Sequence, residues 1–566
     1  MKLLGPFSHF VLVALWSDLA IQKAEPFSAP LEVQYYKFWD SSTGESVNIK
    51  GIDYYPRPNT GQYDINNVDF FNEDFRHVWE ADIPYLKELG VNAIRLYAVD
   101  PGKNHTGFMC ALADAGIYAI VGLSASCSNC SVTPDTAPYC YPPALKLRGQ
   151  LIIGVFAQYS NVLGFDAGNE VDLTTNLQPW INAPCQKKFI RDMRAYMAGC
   201  PIRQIPVGLS IADIQTVVKM NYYNCYTTVN QDPYELANWV GINAYQSCDA
   251  TITNLSDAPG YQMMIQDYSN YSIPLLLTEY GCLNPSFPTI DGFQAQRTFY
   301  ASRWMFEPGM NNTLAGGFVF EYSVEVPNAN VPYPFTNYSA GNYGIGYFAP
   351  ANCDNVNITC SYTPKPEFYN LQKEYAATKT RGTYNLSTFS PPADRLQRSP
   401  CPSGWMGLDD FTWEADSVAN LYCPGVSSFT CPGAPSYSYD TSPTAAIVSR
   451  SPSVGSKNGS TTTGEFPTLS PISLGYNASA GGNKSAYELG APPSSSTTLR
   501  YSATNYPTPY PFTAPPIYVL STAKVNVTSS SPHAQRRYPA TVWQHLLSVI
   551  VTLTAVVSLC FNILLI

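Results

Sequence analysis

The residues whose types and spacing suggest chemistry are two glutamates, Glu170 and Glu279, each at or directly after an apolar run of strand character. If both runs belong to one parallel barrel, the two carboxylates meet at the same rim. A neutral carboxylic acid beside an ionised carboxylate is the pair that breaks glycosidic bonds, because one protonates the departing oxygen while the other attacks the anomeric carbon. A lone glutamate after a strand can also merely cap the next helix. The combination of two such glutamates, with Asn169 directly before Glu170, favours a catalytic role over helix capping.

Eight near-continuous apolar runs would position these carboxylates. They are residues 49–55, 93–99, 118–123, 162–168, 205–209, 239–245, 274–279 and 316–322. Such runs are typical of parallel strands covered on both faces, and helical segments lie between several of them, most clearly 78–89, which ends at Gly90. The pattern predicts an α/β fold, a (β/α)₈ TIM barrel. A doubly wound open sheet is the alternative, but no GxGxxG motif follows the first strand.

Composition excludes several functions. The 566 residues carry a net charge of −10 and only 13% are charged, so a nucleic-acid partner is not expected. The five histidines are too few to favour a histidine-rich metal site or a Ser–His–Asp triad, and we expect no metal or cofactor. Aromatic residues also reach 13%, including 41 tyrosines, which suits a neutral polar ligand.

Export is indicated by both ends of the chain and by its cysteines. Residues 1–24 have the pattern of a signal peptide, and 546–566 form an apolar tail with no charge after it. Small residues at Ser529–Ser531 followed by a spacer predict glycosylphosphatidylinositol (GPI) attachment, with a retained membrane span as the alternative. Fourteen cysteines besides Cys560 suggest disulfides; for Cys127 and Cys130 a loop disulfide is favoured over a redox or zinc motif. Twelve Asn-x-Ser/Thr triplets, the acceptor pattern for N-linked glycosylation, also indicate export. They begin at Asn104, Asn129, Asn254, Asn270, Asn311, Asn337, Asn357, Asn385, Asn458, Asn477, Asn483 and Asn526.

The predicted organisation has five parts. A signal peptide (1–24) precedes the barrel domain (25–400), and a short cysteine-containing extension (401–432) follows it. A disordered stalk rich in Ser, Thr, Pro and Gly (433–531) and a GPI-attachment propeptide (532–566) end the chain.

A family resemblance covers roughly residues 30 to 400. It is carried by the stretches 82–86, 94–98, 161–170, 205–208, 241–245 and 278–282. These resemble, in order, the fungal GPI-anchored β-1,3-glucanosyltransferases of glycoside hydrolase family 72. The resemblance implies that Glu170 is the acid/base, that Glu279 is the nucleophile, and that Asn169 binds the donor sugar's 2-hydroxyl.

Further roles also follow only from the resemblance. Tyr245 would hold Glu279 through its phenol, and Tyr97 and Tyr322 would border the donor sites. The family's acceptor region carries an Asp and an Arg; here Asp213 is present, but only Lys219 stands nearby, so acceptor handling is expected to differ.

The resemblance implies two disulfides, Cys248–Cys282 and Cys225–Cys401. Cys110 lacks its family partner, and pairing with a cysteine of the loop at 124–141 is a plausible substitute. That loop is not typical of the family.

The function implied is elongation of wall glucan. The enzyme would cleave β-1,3-glucan internally with retention and transfer the new reducing end to the non-reducing end of another chain, at the cell surface, held by a GPI anchor on the plasma membrane or the cell wall. Two alternatives remain: a β-1,3-glucanase in which hydrolysis dominates, and a non-catalytic glucan-binding glycoprotein.

Overall fold

The computed structural model describes residues 29–61, 67–175 and 178–437. The signal peptide, most of the stalk and the C-terminal tail predicted above therefore lie outside the described residues. Within the described part of the chain, no helix is long and apolar enough to cross a membrane.

Within these described residues, fourteen strands form three sheets. In chain order they are β1 (Leu31–Gln34), β2 (Lys37–Asp40), β3 (Glu45–Val47), β4 (Ile49–Asp53), β5 (Ala93–Leu96), β6 (Tyr118–Gly122), β7 (Val162–Asn169), β8 (Val207–Ala212), β9 (Trp239–Asn243), β10 (Leu275–Tyr280), β11 (Gly316–Val319), β12 (Gly346–Ala349), β13 (Ser361–Pro364) and β14 (Arg381–Asn385). Strands β4 to β11 close into a barrel in sequence order, with β11 pairing back onto β4, and every neighbouring pair is parallel. The predicted barrel is confirmed.

The part of the chain that the structure describes also contains ten α-helices. They are α1 (Arg76–Leu89), α2 (Thr106–Asp114), α3 (Pro143–Phe156), α4 (Ala183–Ala198), α5 (Thr216–Tyr223), α6 (Pro259–Tyr268), α7 (Tyr300–Trp304), α8 (Met310–Thr313), α9 (Val326–Ala329) and α10 (Pro366–Ala376). Helix α1 ends, as predicted, at Gly90, whose φ of 77° is left-handed and suits glycine.

A small antiparallel sheet, β1-β2-β3-β14, was not anticipated from the sequence. Its apolar side chains Leu31, Phe38 and Val47 share one buried cluster with Ile49 and Ala93, which begin barrel strands β4 and β5. The sheet therefore covers the N-terminal end of the barrel. The opposite end, where the strands finish, is left for the predicted site.

The segment from Cys401 to Cys431 packs against the barrel helices instead of forming a module of its own. Disulfides Cys225–Cys401, Cys200–Cys423 and Cys110–Cys431 fasten it at three points; the first is one of the two bridges that the resemblance implied. The Lys146 ammonium on α3 donates to the carbonyls of Ala415 (2.9 Å) and Val418 (2.7 Å).

The pairing of Cys110 corrects a prediction. Cys110 lies on α2 and bonds Cys431, not a cysteine of the 124–141 loop, because the loop cysteines are already paired: Cys127 with Cys130, and Cys140 with Cys185. The loop disulfide predicted for Cys127 and Cys130 is confirmed. All fourteen cysteines of the described residues are paired.

We expect the bridge Cys200–Cys423 to stabilise the fold more than Cys127–Cys130. The bonded residues lie 223 and 3 positions apart, and a bridge stabilises mainly by closing a loop in the unfolded chain. Replacing both cysteines by alanine should lower the free energy of unfolding by about 4 kcal/mol for the long bridge and about 2 kcal/mol for the short one. Urea unfolding followed by circular dichroism measures both values. Equal losses would contradict the expectation.

Candidate active site

Glu170 stands where the chain leaves β7. Its backbone N–H donates to the carbonyl of Ser210 on β8 (2.9 Å). Its φ of 48° is left-handed, a conformation that costs a non-glycine residue energy. The chain turns sharply here, and the half-buried carboxyl stands at the C-terminal end of the barrel.

Glu279 lies in β10 and is buried, but three donors hold its carboxylate. Tyr245 donates its hydroxyl to Oε2 (2.8 Å), and Tyr97 donates its hydroxyl to Oε1 (2.9 Å). The Arg95 guanidinium lies 3.2 Å from the same Oε1. Two hydroxyl donors and a guanidinium therefore fix the orientation of this carboxylate.

The two glutamates influence one another. Burial raises the pKa of the Glu170 carboxyl well above its usual value, and the negative charge of Glu279 raises it further. The Asn243 side chain offsets part of this rise by hydrogen bonding. The raised pKa favours the protonated form of Glu170 to a higher pH than for an ordinary glutamate, which suits a group that donates a proton.

Arg95 on β5 was missed by the sequence analysis. Its guanidinium is buried and contacts Asp166 (3.0 Å), Asp53 (3.5 Å) and Glu279. A buried arginine inside an apolar strand is the signal that could have revealed it, because such a charge must be paired.

Asn169 is fixed by two donors at its amide oxygen. Arg95 Nη2 donates to Oδ1 (2.7 Å), and Asn243 Nδ2 donates to the same atom (3.1 Å). Engaging the oxygen in this way turns the amide nitrogen, a donor, towards the rest of the site. This orientation suits a contact with a sugar hydroxyl.

Asp213 and Lys219 follow β8 but do not act together. The exposed Asp213 accepts a hydrogen bond from Gln246 Nε2 (2.6 Å). Lys219 is fully buried and donates to the carboxylate of Asp172 and the carbonyl of Ala212. Lys219 therefore cannot replace the arginine that the family resemblance led us to look for at this position.

The structure corrects the prediction for Tyr322. Its ring is fully buried and stacks on Tyr362 at 4.1 Å, and its hydroxyl donates to Asp82 on α1 (2.9 Å). It belongs to the layer between barrel and helices and does not border a groove. The aromatic residues beside Tyr245 are instead Phe320 and Tyr343, with ring centroids 6.4 and 5.4 Å away.

The bridge Cys248–Cys282 is present. It joins the segments that follow β9 and β10, and thus lies three residues beyond Tyr245 and three beyond Glu279. The covalent link limits how far these two segments can separate. No cluster of three or more metal-ligating side chains occurs within residues 29–61, 67–175 and 178–437.

Comparison with known proteins agrees with this geometry. The profile of glycoside hydrolase family 72, described as glucanosyltransferase, matches residues 20–333. The 1,3-beta-glucanosyltransferase gas5 of Schizosaccharomyces pombe is 32% identical over 403 residues, which are 69% of each chain. The 1,3-beta-glucanosyltransferase GAS5 of Saccharomyces cerevisiae is 30% identical over 420 residues, 73% of each chain.

A solved structure shares the fold. Saccharomyces cerevisiae Gas2p in complex with laminaripentaose superposes with a TM-score of 0.51 at 25% identity, over 67% of this chain and 75% of that one. The matched length and the shared barrel show that the chain belongs to the glucanosyltransferases of glycoside hydrolase family 72.

Proposed function

We propose that this chain is a cell-wall β-1,3-glucanosyltransferase that works by a retaining double displacement. One observation carries the proposal: Glu279, held by three donors, shares its site with Glu170, whose pKa is raised by burial and by the negative charge of Glu279. The named relatives are 1,3-beta-glucanosyltransferases, and the related Gas2p binds a laminari-oligosaccharide.

In the first step, a Glu279 oxygen attacks the anomeric carbon of a glucose unit inside the β-1,3-glucan donor. The glycosidic bond breaks, and its oxygen takes the proton of Glu170, so the departing chain leaves as an alcohol. The other fragment remains as a glycosyl ester on Glu279, and Glu170 is left ionised.

In the second step, Glu170 removes the proton from a 3-hydroxyl at the non-reducing end of an acceptor glucan. That oxygen attacks the anomeric carbon and displaces Glu279, which returns as a carboxylate. The product is a longer β-1,3-glucan. Water in place of the acceptor would give hydrolysis.

The neighbouring side chains serve these two steps. Tyr97, Tyr245 and Arg95 orient the nucleophile and stabilise its charge when the ester forms and breaks. Asn169 donates to the 2-hydroxyl of the donor sugar, a contact that strengthens as positive charge develops on the ring. Asp213 offers a carboxylate to acceptor hydroxyls.

The reaction is tested by incubating the secreted protein with a reduced laminari-oligosaccharide and sizing the products. We expect products longer than the substrate. Glu170→Gln and Glu279→Gln should each lower kcat by about a thousandfold or more, because each removes a group that acts directly on the reacting bond. Circular dichroism would show that both variants remain folded.

A matched control is Glu32→Gln, which changes an exposed glutamate on β1 at the closed end of the barrel and should leave activity unchanged. Products that are only shorter than the substrate would favour the β-1,3-glucanase. Absence of any product with retained glucan binding would favour the non-catalytic glycoprotein.

The pH dependence follows from Glu170. Because the folded enzyme raises the pKa of this group, the protonated acid persists to a higher pH than an ordinary glutamate, whose pKa is about 4.3. We expect kcat/KM to stay high above that value and to fall as Glu170 loses its proton. A profile measured with the laminari-oligosaccharide substrate checks this. A basic limb at the ordinary glutamate value would refute it.

We further propose that the mature protein is held at the cell surface by a GPI anchor. Support comes from the sequence, through the small residues at Ser529–Ser531 and the uncharged apolar tail at 546–566. Phosphatidylinositol-specific phospholipase C should release the protein from membranes. Extraction only by detergent, with no release by the lipase, would indicate a retained membrane span.

A further inference from the structure

Two aromatic side chains are unusually exposed on loops at the open end of the barrel. Tyr139 is 79% exposed and Trp180 is 43% exposed. Tyr139 lies shortly before α3, and Trp180 lies shortly before α4. Helices that follow barrel strands begin near the C-terminal ends of those strands, so both rings belong to the face that carries Glu170 and Glu279.

The two loops are fastened to one another. The disulfide Cys140–Cys185 joins the residue after Tyr139 to the first turn of α4. The N–H of Ala137 donates to the carbonyl of Ile181 (3.1 Å), so the residues beside the two aromatics are hydrogen-bonded across the loops. We call the pair of rings on these two joined loops the Tyr139–Trp180 platform.

A second brace supports the same arrangement. Asn182 Nδ2 donates to the carbonyl of Thr133 (3.2 Å), and Cys127–Cys130 closes a short turn earlier in the loop that carries Tyr139. Exposed aromatic rings on a braced backbone lose little conformational freedom on binding a ligand.

The platform lies on the side of the acid/base. The loop that carries Trp180 continues directly from Glu170 through the 3₁₀ helix Val171–Thr175, and the loop with Tyr139 follows β6, the strand beside β7. Glu170 protonates the departing chain and later deprotonates the acceptor, so both ligands must extend from the scissile bond on this side.

The surroundings suit a neutral sugar polymer. From Ser124 to Tyr141 the loop is built largely from Ser, Thr, Pro, Asn and Cys, and Asp135 is its one charged residue. Aromatic faces pack against the apolar C–H faces of pyranose rings, whose hydroxyls then remain at the edges in water or bonded to hydroxyl and amide groups. A charged ligand would find few partners in this loop.

We propose that the Tyr139–Trp180 platform binds the acceptor β-1,3-glucan beyond the reacting glucose unit. This inference rests on the proposed transferase function and adds a binding site for the acceptor strand. Stacking there keeps a long acceptor on the enzyme while the glycosyl ester persists, so its 3-hydroxyl competes better with water.

The test compares the double variant Tyr139→Ala/Trp180→Ala with the wild-type protein in transfer assays. The acceptors are laminaritriose and a laminari-oligosaccharide several times longer. We expect the half-saturating concentration of the long acceptor to rise about fivefold to tenfold, as expected for the loss of about 1 kcal/mol or slightly more of binding. Laminaritriose should be much less affected, because it reaches little beyond the reacting unit.

Two further variants make the result specific. Tyr139→Phe/Trp180→Phe keeps two ring faces and should retain most of the long-acceptor affinity. Tyr422→Ala removes a ring that is 92% exposed but lies beside Cys423, which is bonded to Cys200 beyond the C-terminal end of α4, at the other end of the barrel. It should behave as wild type.

The outcomes separate this inference from the function on which it rests. If the wild-type protein makes no product longer than its substrate, the transferase assignment itself fails. If the wild-type protein does make longer products, and the double alanine variant has the same half-saturating concentration of the long acceptor as the wild type, the platform does not bind acceptor. Equal weakening of both acceptors, or weakening by Tyr422→Ala, would also overturn the proposal.

Discussion

The candidate site depends on one buried cation. Arg95 stands inside the barrel with Asp53, Asp166 and Glu279 around it and Asn169 within hydrogen-bonding distance. An unpaired buried charge costs several kcal/mol, so the carboxylates and the guanidinium require one another to be placed there at all. Because Arg95 contacts both Glu279 and Asn169, it fixes Glu279 relative to the end of β7, from which Glu170 extends.

The glutamates at the open end of the barrel have different environments. The Glu279 carboxylate is held by two phenol hydroxyls and a guanidinium. Glu170 is half-buried, and burial together with the nearby negative charge of Glu279 raises its pKa. Glu321 also has a raised pKa through burial, but it is enclosed and paired with Arg57 (3.1 Å). The proposed mechanism therefore uses Glu170 and Glu279 and not Glu321.

The barrel could be predicted from the sequence because strands buried on both faces have a plain apolar signature, and the carboxyl ends of parallel strands must share one rim. The positions of Glu170 and Glu279 followed from that rule. The direction of a side chain beyond the end of a strand could not be predicted in this way. Strand β11 ends at Val319, so the alternation of side chains along a strand no longer decides where Tyr322 points. Its ring turns outwards to Asp82. The pairing of Cys110 with Cys431 was equally hidden, since 321 residues separate them and only the folded helices bring them together.

The choice between transfer and hydrolysis cannot be made at the two glutamates. In the proposed mechanism the ionised Glu170 takes a proton either from water or from a sugar hydroxyl, so the reacting groups of the enzyme are the same in both reactions. Selectivity must therefore come from contacts that hold an acceptor and that water cannot use. Such contacts belong on the Glu170 side of the barrel, where the loops after β6 and β7 are joined by Cys140–Cys185. Bracing these loops lowers the entropy lost on binding, and this favours a bound sugar chain over a small, freely diffusing competitor.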